Sequence, residues 1–395
     1  MSRFRFFEPF NDAETCDYLQ SGARVDALWK AFSQVRAQPE THWLKDLRAL
    51  VHHIDPGLGL EVRYEPNGSR ALSVLPLGGA HLKPLADWCV ERGSARALWP
   101  LDSGRPPLEL PAALRLVLKD FKLDLGKTRA RVGVGRGHLL SVVLASHLFT
   151  GPGDELGQRA ASALVQWLLG DLLFERWVLD VSVVSAPKPS PLRVVGANEA
   201  ALPLSLQELP DALEAARLGI QAALPAEPLH LFCEYADWVL FELDEPSDAC
   251  LFPDLLTHTT MCPEMLKCYL SGDPFASERF SSQGERFCML KLALTGDLEQ
   301  RTTERQHLEE FLNRSLVPGQ LGCVVGAGLG RDYAYLTLAL SDVDSALQVL
   351  RRRLREQQAP KSSWVLFMDS EWRNEWFGIW EQTPPPELAD AGDRT

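Results

Sequence analysis

Apolar residues near the start of the chain recur at helical spacing. In two stretches, 25–32 and 43–51, they return every three or four residues. Such spacing places them on one face of a helix, so it predicts two amphipathic helices. Asp55-Pro56-Gly57 follows directly and is expected to end the second one.

From residue 60 the apolar period shortens to about two. Strand-like runs at 60–64 and 71–75 flank Pro66-Asn67-Gly68. Asn-Gly is a strong hairpin signal because both residues accept positive φ angles. The pattern therefore predicts a two-stranded ribbon, followed by a helix over 81–91.

Strand and helix patterns alternate through the middle of the chain. Strands are predicted at 114–118, 129–134, 139–148 and 177–184, and a helix at 154–170. Prolines open and close the next stretch, 185–228, which contains a short predicted helix at 211–223. Such a proline-bounded stretch is typical of a connector between domains.

The second half begins with a predicted strand at 229–232 and becomes regular from 286 to 369. There the predicted order is β-α-β-β-α-β, which is the ferredoxin-like arrangement. Thr303 and Gln306 form a predicted capping box for the first helix, and Asp342 is the predicted N-cap of the second. The buried stripe predicted for the second helix is Val343, Ala346, Leu347, Leu350 and Leu354.

Two glycine runs almost two hundred residues apart resemble each other. One contains Gly133, Gly135 and Gly137, and the other contains Gly326, Gly328 and Gly330. Dinucleotide and P-loop sites need such glycines between a strand and a helix N-terminus. Here a strand leads to a strand in each case, so the runs are expected to be hairpin turns or bulges.

These patterns predict an α+β fold built from two related halves, with antiparallel sheets and helices on one face. The predicted domains are an N-terminal α+β domain at 1–190, a connector at 191–228, a ferredoxin-like domain at 229–383 and a disordered tail at 384–395. The 395 residues, 46% of them hydrophobic, are enough for more than one core.

The charge is distributed unevenly. Residues 1–200 carry 24 Lys and Arg against 22 Asp and Glu, whereas residues 201–395 carry 16 against 31. An acidic second half argues against sequence-independent nucleic-acid binding. The local exception is the cluster Arg351, Arg352, Arg353 and Arg355, interpreted as a solvated helix end that complements the helix dipole.

The sequence predicts a cytoplasmic protein without a cofactor. The first ten residues lack the apolar stretch of a secretory signal, and no run reaches the length of a membrane span. Cys16, Cys89, Cys233 and Cys323 lie on apolar segments and are predicted to be inert. Cys250, Cys262, Cys268, Cys288 and His258 form the best metal hypothesis, but their spacing is too wide for a structural zinc site.

The most chemically suggestive residues follow the last predicted strand. Asp369, Glu371 and Glu375 alternate with Trp372, Trp376 and Trp380. Carboxylates beside indoles are compatible with general-acid chemistry, because burial raises a carboxyl pKa. Tryptophans at intervals of four are also typical of a core edge or of a partner surface.

Several motifs resemble known bacterial families. Phe6-Phe7, the run from Asp55 to Glu61, the strand-helix step from Leu72 to Trp88, and Leu169-Gly170-Asp171 resemble a family of uncharacterised cytoplasmic proteins. The C-terminal motifs resemble DUF695-type domains. They are Gly326 to Tyr335, the helix up to Arg355, Phe367-Met368-Asp369, and Trp376 to Trp380. The resemblance implies no catalytic or binding residue.

Two functions are compatible with these patterns. The first is a non-catalytic module that binds a basic protein partner, for example an immunity or inhibitor protein. Its predicted anchors are Trp372, Trp376 and Trp380 if they are exposed, and Glu371 and Glu375 are further predicted contacts. The second is a hydrolase or small-ligand enzyme with a pocket between the halves, using Asp369, Glu371 and Glu375.

Overall fold

The computed structural model describes residues 18–64, 68–94, 98–151, 153–186, 203–243 and 254–386. The fold is α+β, as predicted. Across these ranges no helix is both long enough and apolar enough to cross a membrane. The predicted tail lies mostly outside the described residues, as does the first part of the predicted connector.

Two compact units make up the chain. One joins the residues up to Leu101 with those from Leu224 onward, and the other runs from Asp102 to Ala223. The predicted division at 1–190 and 229–383 differs from these units, because the first hundred residues group with the C-terminal part. A contact within the first unit accounts for this grouping. The 3-10 helix Ala80–Leu82 packs against the 3-10 helix Ser370–Trp372.

The N-terminal part of the first unit has its own core. Its elements are α1 (Tyr18–Val35), α2 (Leu44–Ile54), β1 (Leu58–Tyr64), β2 (Arg70–Pro76), α3 (Lys83–Ser94) and β3 (Leu101–Ser103). β1 and β2 pair antiparallel, with Leu60 opposite Val74, which confirms the predicted ribbon. Its turn residues 65–67 lie outside the described residues. Edge-to-face contacts among Trp29, Phe32 and Trp43 fill the core beneath the helices.

The second unit contains a four-stranded sheet. Its elements are α4 (Leu110–Phe121), β4 (Arg129–Val134), β5 (Leu140–Ser146), α5 (Glu155–Trp177), β6 (Val178–Ser185), β7 (Leu204–Ser205) and α6 (Leu209–Ala223). The strand order is β6-β5-β4-β7, with β5 and β6 parallel and the other pairs antiparallel. The core lies between this sheet and the helices, where Leu164 and Val165 of α5 are fully buried.

One predicted strand of this unit is wrong. Residues 114–118 belong to α4, because Pro111 occupies the first turn, where its missing N–H costs no hydrogen bond. Ala113 and Val117, four residues apart, are the buried positions of this helix. Five consecutive residues go more than once around a helix, so within 114–118 Val117 is buried whereas Arg115 and Leu118 are exposed.

The C-terminal part of the first unit is built on a seven-stranded sheet. Its elements are β8 (Val239–Glu242), β9 (Leu255–Thr260), α7 (Pro263–Leu270), β10 (Arg286–Leu292), α8 (Leu298–Leu316), β11 (Gly322–Gly330), β12 (Ala334–Leu340), α9 (Val343–Glu356), β13 (Ser363–Phe367) and β14 (Trp376–Gly378). The order is β14-β13-β10-β12-β11-β9-β8, and the neighbouring strands in this order are antiparallel.

The predicted order β-α-β-β-α-β is present from β10 to β13. Strands β14, β9 and β8 extend that set at both edges, so the sheet is larger than the four strands of a ferredoxin-like domain. Helices α8 and α9 bury their apolar stripes on one face, and the predicted stripe from Val343 to Leu354 is confirmed. Met265 and Tyr269 of α7 pack on the opposite face.

Three local predictions in this part need correction. The capping box of α8 is formed by Asp297 and Gln300, not by Thr303 and Gln306, because the helix begins six residues earlier than predicted. Residues 229–231 form a 3-10 helix and not a strand. The second glycine run lies inside β11, and the turn follows it at 331–333.

Candidate functional site

The predicted carboxylate cluster is buried. Asp369 accepts hydrogen bonds from the Ser277 N–H (2.7 Å) and hydroxyl (2.6 Å), and from the Arg286 guanidinium (3.2 Å). Burial raises the pKa of Asp369, and Arg286 and Ser277 oppose that shift. These contacts tie the end of β13 to the 3-10 helix Ser277–Arg279, so Asp369 holds two loops together.

The tryptophans beside it are largely packed inside the fold. Trp372 and Trp376 are buried, and so are Glu371 and Glu375. Trp380 is half-buried, and its indole N–H donates to the Ala359 carbonyl at 2.8 Å. Exposure is the condition for the three tryptophans to serve as binding anchors, and Trp372 and Trp376 do not meet it.

The arginines of α9 pack on aromatic rings. The guanidinium carbons of Arg351, Arg353 and Arg355 lie 5.2, 5.7 and 5.4 Å from the ring centroids of Phe377, Phe311 and Trp380. Such stacking is a cation–π contact. Three of the four clustered arginines are therefore engaged within the fold.

The residues of the metal hypothesis are not assembled into a site. Cys288 belongs to the core under α8 and α9, whereas Cys268 belongs to the core under α7 on the other face of the sheet. Cys250 lies outside the described residues. Within the described ranges, no group of three His, Cys, Asp or Glu side chains could hold a metal ion.

His258 is a buried polar side chain that the sequence analysis names only as part of the metal hypothesis. It is fully buried on β9, opposite Gly328 of β11, and its Nε2 lies 3.0 Å from the Thr337 hydroxyl. Burial lowers the pKa of His258 to about 4; the charge of Arg305 acts in the same direction and the Thr259 backbone in the opposite one. The ring is therefore neutral near pH 7.

Glycines make the room for that ring. A Cβ atom added at Gly326 would lie 2.5 Å from Cε1 of His258, and one added at Gly328 would lie 2.7 Å from its Cδ2. Both distances are far below van der Waals contact. The second glycine run thus lets a histidine lie flat against a strand.

A different part of the first unit exposes apolar side chains. Leu231, Tyr235, Trp238, Val239 and Leu240 are exposed, Tyr235 to 85% and Leu240 to 56%. We call these five residues the β8 edge, because they lie on β8 and the segment leading into it. Five large apolar side chains within ten residues are more than the scattered exposure usual for a protein surface.

Among the described residues, one side of the β8 backbone has no strand beside it. β8 is the last strand of the sheet, and among the described residues its one strand neighbour is β9. Leu243 donates its N–H to Leu256, so alternate residues of this antiparallel pair face β9. Leu240 and Glu242 occupy the intervening positions, where the N–H and C=O groups point away from β9.

The sequence segment that contains the β8 edge carries charge of a single sign. From Leu218 to Leu266 the sequence contains nine Asp and Glu residues and no Lys or Arg. Glu234, Asp237 and Glu242 of this stretch are exposed beside the apolar side chains. In the described part of the chain, this surface therefore combines an apolar strand, backbone groups that face away from β9 and an acidic rim.

The sequence contains two separate signals for this surface. The excess of acidic residues extends over the whole second half, and the run 238–243 has the composition of a strand. An edge position cannot be deduced from one strand's own residues, because it depends on which strands pair with it.

Three thiols, those of Cys233, Cys262 and Cys323, pack in one core cluster. The Cys233 thiol, in the turn after the 3-10 helix Leu229–Leu231, donates a hydrogen bond to the His230 carbonyl at 3.4 Å. Cys323 is buried, and Cys233 is half-buried. Cys262 is close enough for its charge to affect the pKa of Cys323.

The second unit has one open depression of about 370 Å³, lined by residues that include Asp154, Gln158 and Ser182. The Asp154 carboxylate accepts hydrogen bonds from the N–H groups of Thr150 and Gly157, both at 2.8 Å, and so caps α5. These bonds lower the pKa of Asp154. The carboxylate has a structural role in the helix cap.

No family model, curated protein or solved structure matches the chain. The resemblance to DUF695-type domains stays a prediction.

Proposed function

We propose that this protein is a non-catalytic binding module and that the β8 edge is its contact surface. One observation carries the proposal: β8 ends the sheet with exposed apolar side chains and with backbone groups that face away from β9. Proteins usually shield a sheet edge with charges, proline or a covering element, because an open strand pairs readily with another chain.

The binding mode is strand addition. An extended segment of the partner pairs with the outward N–H and C=O groups of Leu240 and Glu242 and extends the seven-stranded sheet by one strand. Backbone hydrogen bonds supply affinity in this mode, and side chains at alternate positions supply selectivity. Trp238 and Tyr235 are the aromatic anchors beside the added strand.

The partner segment is basic. The acidic rim attracts Lys and Arg side chains, which increases the rate of association and disfavours acidic partners. An immunity or inhibitor protein of the cytoplasm, acting on a basic target, is one form of this function. Such a protein needs no chemistry of its own.

The alternative enzyme would use Asp369, Glu371 and Glu375. Asp369 already accepts three hydrogen bonds from Ser277 and Arg286, and the two glutamates are buried. The observations at the β8 edge are independent of these residues and support binding.

Selection from a displayed library of random twelve-residue peptides tests the proposal. We expect the full chain to enrich peptides in which Lys or Arg alternates with β-branched or aromatic residues. Leu240→Pro should weaken their binding by at least about tenfold, because proline removes one outward N–H donor. The β8–β9 hydrogen bonds do not use that N–H, so the fold is preserved.

Leu240→Ala is the matched control, since it shortens the side chain but keeps the N–H. It should retain part of the affinity that Leu240→Pro loses. Circular dichroism and thermal unfolding of both variants establish that they fold. The proposal is overturned if no peptide is enriched, if enriched peptides are acidic, or if the two folded variants bind as well as the original chain.

A further inference from the structure

We propose that the chain controls access to its own binding surface: residues 3–6 pair with β8 of the same molecule until a partner segment displaces them. The inference rests on the proposed function, because it concerns the same strand. It names what occupies β8 in the free protein and what an incoming partner must displace.

Residues 3–6 have the composition that suits the β8 edge. They are Arg3, Phe4, Arg5 and Phe6, and the next charged residue is Glu8. In an extended chain, successive side chains point to opposite faces, so such a segment presents arginine on one face and phenylalanine on the other. Phenylalanine favours strands, and an acidic rim attracts arginine. The segment therefore matches the basic, extended partner proposed above.

The side chains of β8 alternate in the same way. Leu240 and Glu242 lie on one face of the sheet, Val239 and Phe241 lie on the other, and all four are at least partly exposed. Strand addition places side chains next to each other on the same face, where opposite charges and aromatic pairs stabilise a sheet. With the arginines on the face of Glu242, the phenylalanines lie beside Val239 and Phe241. A shift of one residue reverses every side chain, so the match holds for one setting of the two strands.

The chain before α1 is long enough for this contact. Eleven residues separate residue 6 from Tyr18, where α1 begins, and they can span up to about 38 Å. Helix α1 and β8 belong to the same compact unit, for which a radius of gyration of about 19 Å is expected. The segment can therefore reach a site across that unit.

Tethering favours the segment of the same molecule over that of a second copy. A short flexible linker holds its end at an effective concentration of about 1 mM. If the free segment binds β8 with a dissociation constant of about 0.1 mM, the tethered one occupies the strand about ten times out of eleven. A second copy in dilute solution supplies the segment at a far lower concentration.

A similar run elsewhere in the chain is already paired. Residues 129–132 also carry arginine at alternate positions, but they lie in β4. β4 has β5 on one side and β7 on the other. Its backbone is therefore committed to its own sheet, whereas no item of the described fold requires residues 3–6.

The test measures binding of a fluorescein-labelled peptide with the sequence of residues 2–7 to the full chain by fluorescence anisotropy. The double variant Arg3→Glu with Arg5→Glu should bind this peptide about tenfold more tightly than the original chain, because its own segment no longer pairs beside Glu242. Equal affinities of the two proteins overturn the proposal.

Two further variants identify the charge and the strand. Arg3→Lys with Arg5→Lys is the matched control, since it keeps the charge, and it should bind the peptide as weakly as the original chain. Leu240→Pro, added to the double glutamate variant, should remove the gain in affinity, because proline removes one outward N–H donor of β8. A gain that survives this substitution, or one that the lysine variant also shows, contradicts pairing at β8 through charge. Thermal unfolding establishes that each variant folds.

Light scattering identifies which molecule supplies the segment. The original chain and the double glutamate variant should have the same mass in solution. A larger assembly that forms only with the original arginines shows that residues 3–6 pair with a second copy, and it overturns pairing within one molecule.

The failure of this inference is distinguishable from that of the proposed function. If peptides selected from the library bind β8 but the peptide of residues 2–7 does not bind the double glutamate variant, this inference alone is wrong. If neither kind of peptide binds, the proposed function is wrong as well.

Discussion

Gly133–Gly137 and Gly326–Gly330 share one spacing of glycines, yet they occupy different settings. The first run ends β4 and forms the turn into β5, where Gly137 has a φ of 58°. The second lies entirely within β11, where Gly326 and Gly328 face the ring of His258. One run uses glycine for its backbone freedom, and the other uses it for the absence of a side chain.

The difference shows that a glycine spacing alone does not specify its physical purpose. In the first run the neighbouring residue Val134 is exposed, and a Cβ at Gly135 would meet only the Leu139 carbonyl, at 3.5 Å. In the second run every residue of the strand is buried. Substitutions should therefore have very different effects in the two runs.

The largest effect is expected for Gly328→Ala. Its Cβ would lie 2.7 Å from the Thr257 carbonyl oxygen and 2.7 Å from the His258 ring. Backbone cannot move aside cheaply, so the first unit should lose about 3 kcal/mol of stability, the upper part of the range for overpacking. Hydrogen exchange of peptides from β9 and β11 measures the loss. Exchange that stays at the original rate in those strands would show that the contact is not tight.

The next effect is the pH dependence that His258 contributes. Its pKa falls from 6.5 to about 4 on folding, so between these values the unfolded chain binds a proton that the folded chain does not. Stability should therefore decrease as the pH is lowered from about 6.5 towards 4, by about 3 kcal/mol in total for this group. Denaturant unfolding at a series of pH values, followed in the first unit, measures the decrease.

His258→Gln is the control for this dependence, because glutamine has no titrating group. The pKa of Asp369 is raised, so its contribution to stability changes with pH in the opposite direction to that of His258. Asp369 is present in both proteins, so its contribution cancels when their stabilities are subtracted. If the two proteins show parallel pH profiles, His258 does not titrate as its burial implies.

The smallest effects are expected in the first glycine run. Gly137→Ala places a side chain at a φ of 58°, which should cost about 1 kcal/mol in the second unit. Gly135→Ala is its matched control, since Gly135 has an extended φ of −106° and its added Cβ would meet the Leu139 carbonyl at an ordinary contact distance, so the change should stay within about 0.5 kcal/mol. Hydrogen exchange in β4 and β5 compares the two. If the two substitutions reduce stability equally, the positive φ of Gly137 does not explain why glycine is needed there.

The regular parts of the fold could be predicted from the sequence because their signals are local. The stripe of α9 and the Asp342 cap, whose carboxylate accepts the Ser345 N–H at 3.2 Å, depend on residues within a few turns. The β1–β2 ribbon depended on one Asn-Gly pair. In α4 the local signal was ambiguous, and Pro111 was the residue that favoured a helix.

The candidate surfaces could not be predicted in the same way. The space that Gly326 and Gly328 leave for the His258 ring exists because β9 lies beside β11. The outward-facing side of β8 exists because β8 ends the sheet. Both depend on pairing between distant strands. Trp372 and Trp376 are buried for a similar reason, because the cores that enclose them are assembled from several elements.

The first unit is interrupted in the chain by the whole of the second, from Asp102 to Ala223. During synthesis, the helix Ala80–Leu82 leaves the ribosome long before its packing partner Ser370–Trp372. The second unit, which is continuous, can fold in that interval, because domains generally fold as units while the chain grows. The first unit can then close only after the segment Ser370–Trp372 has also been synthesised.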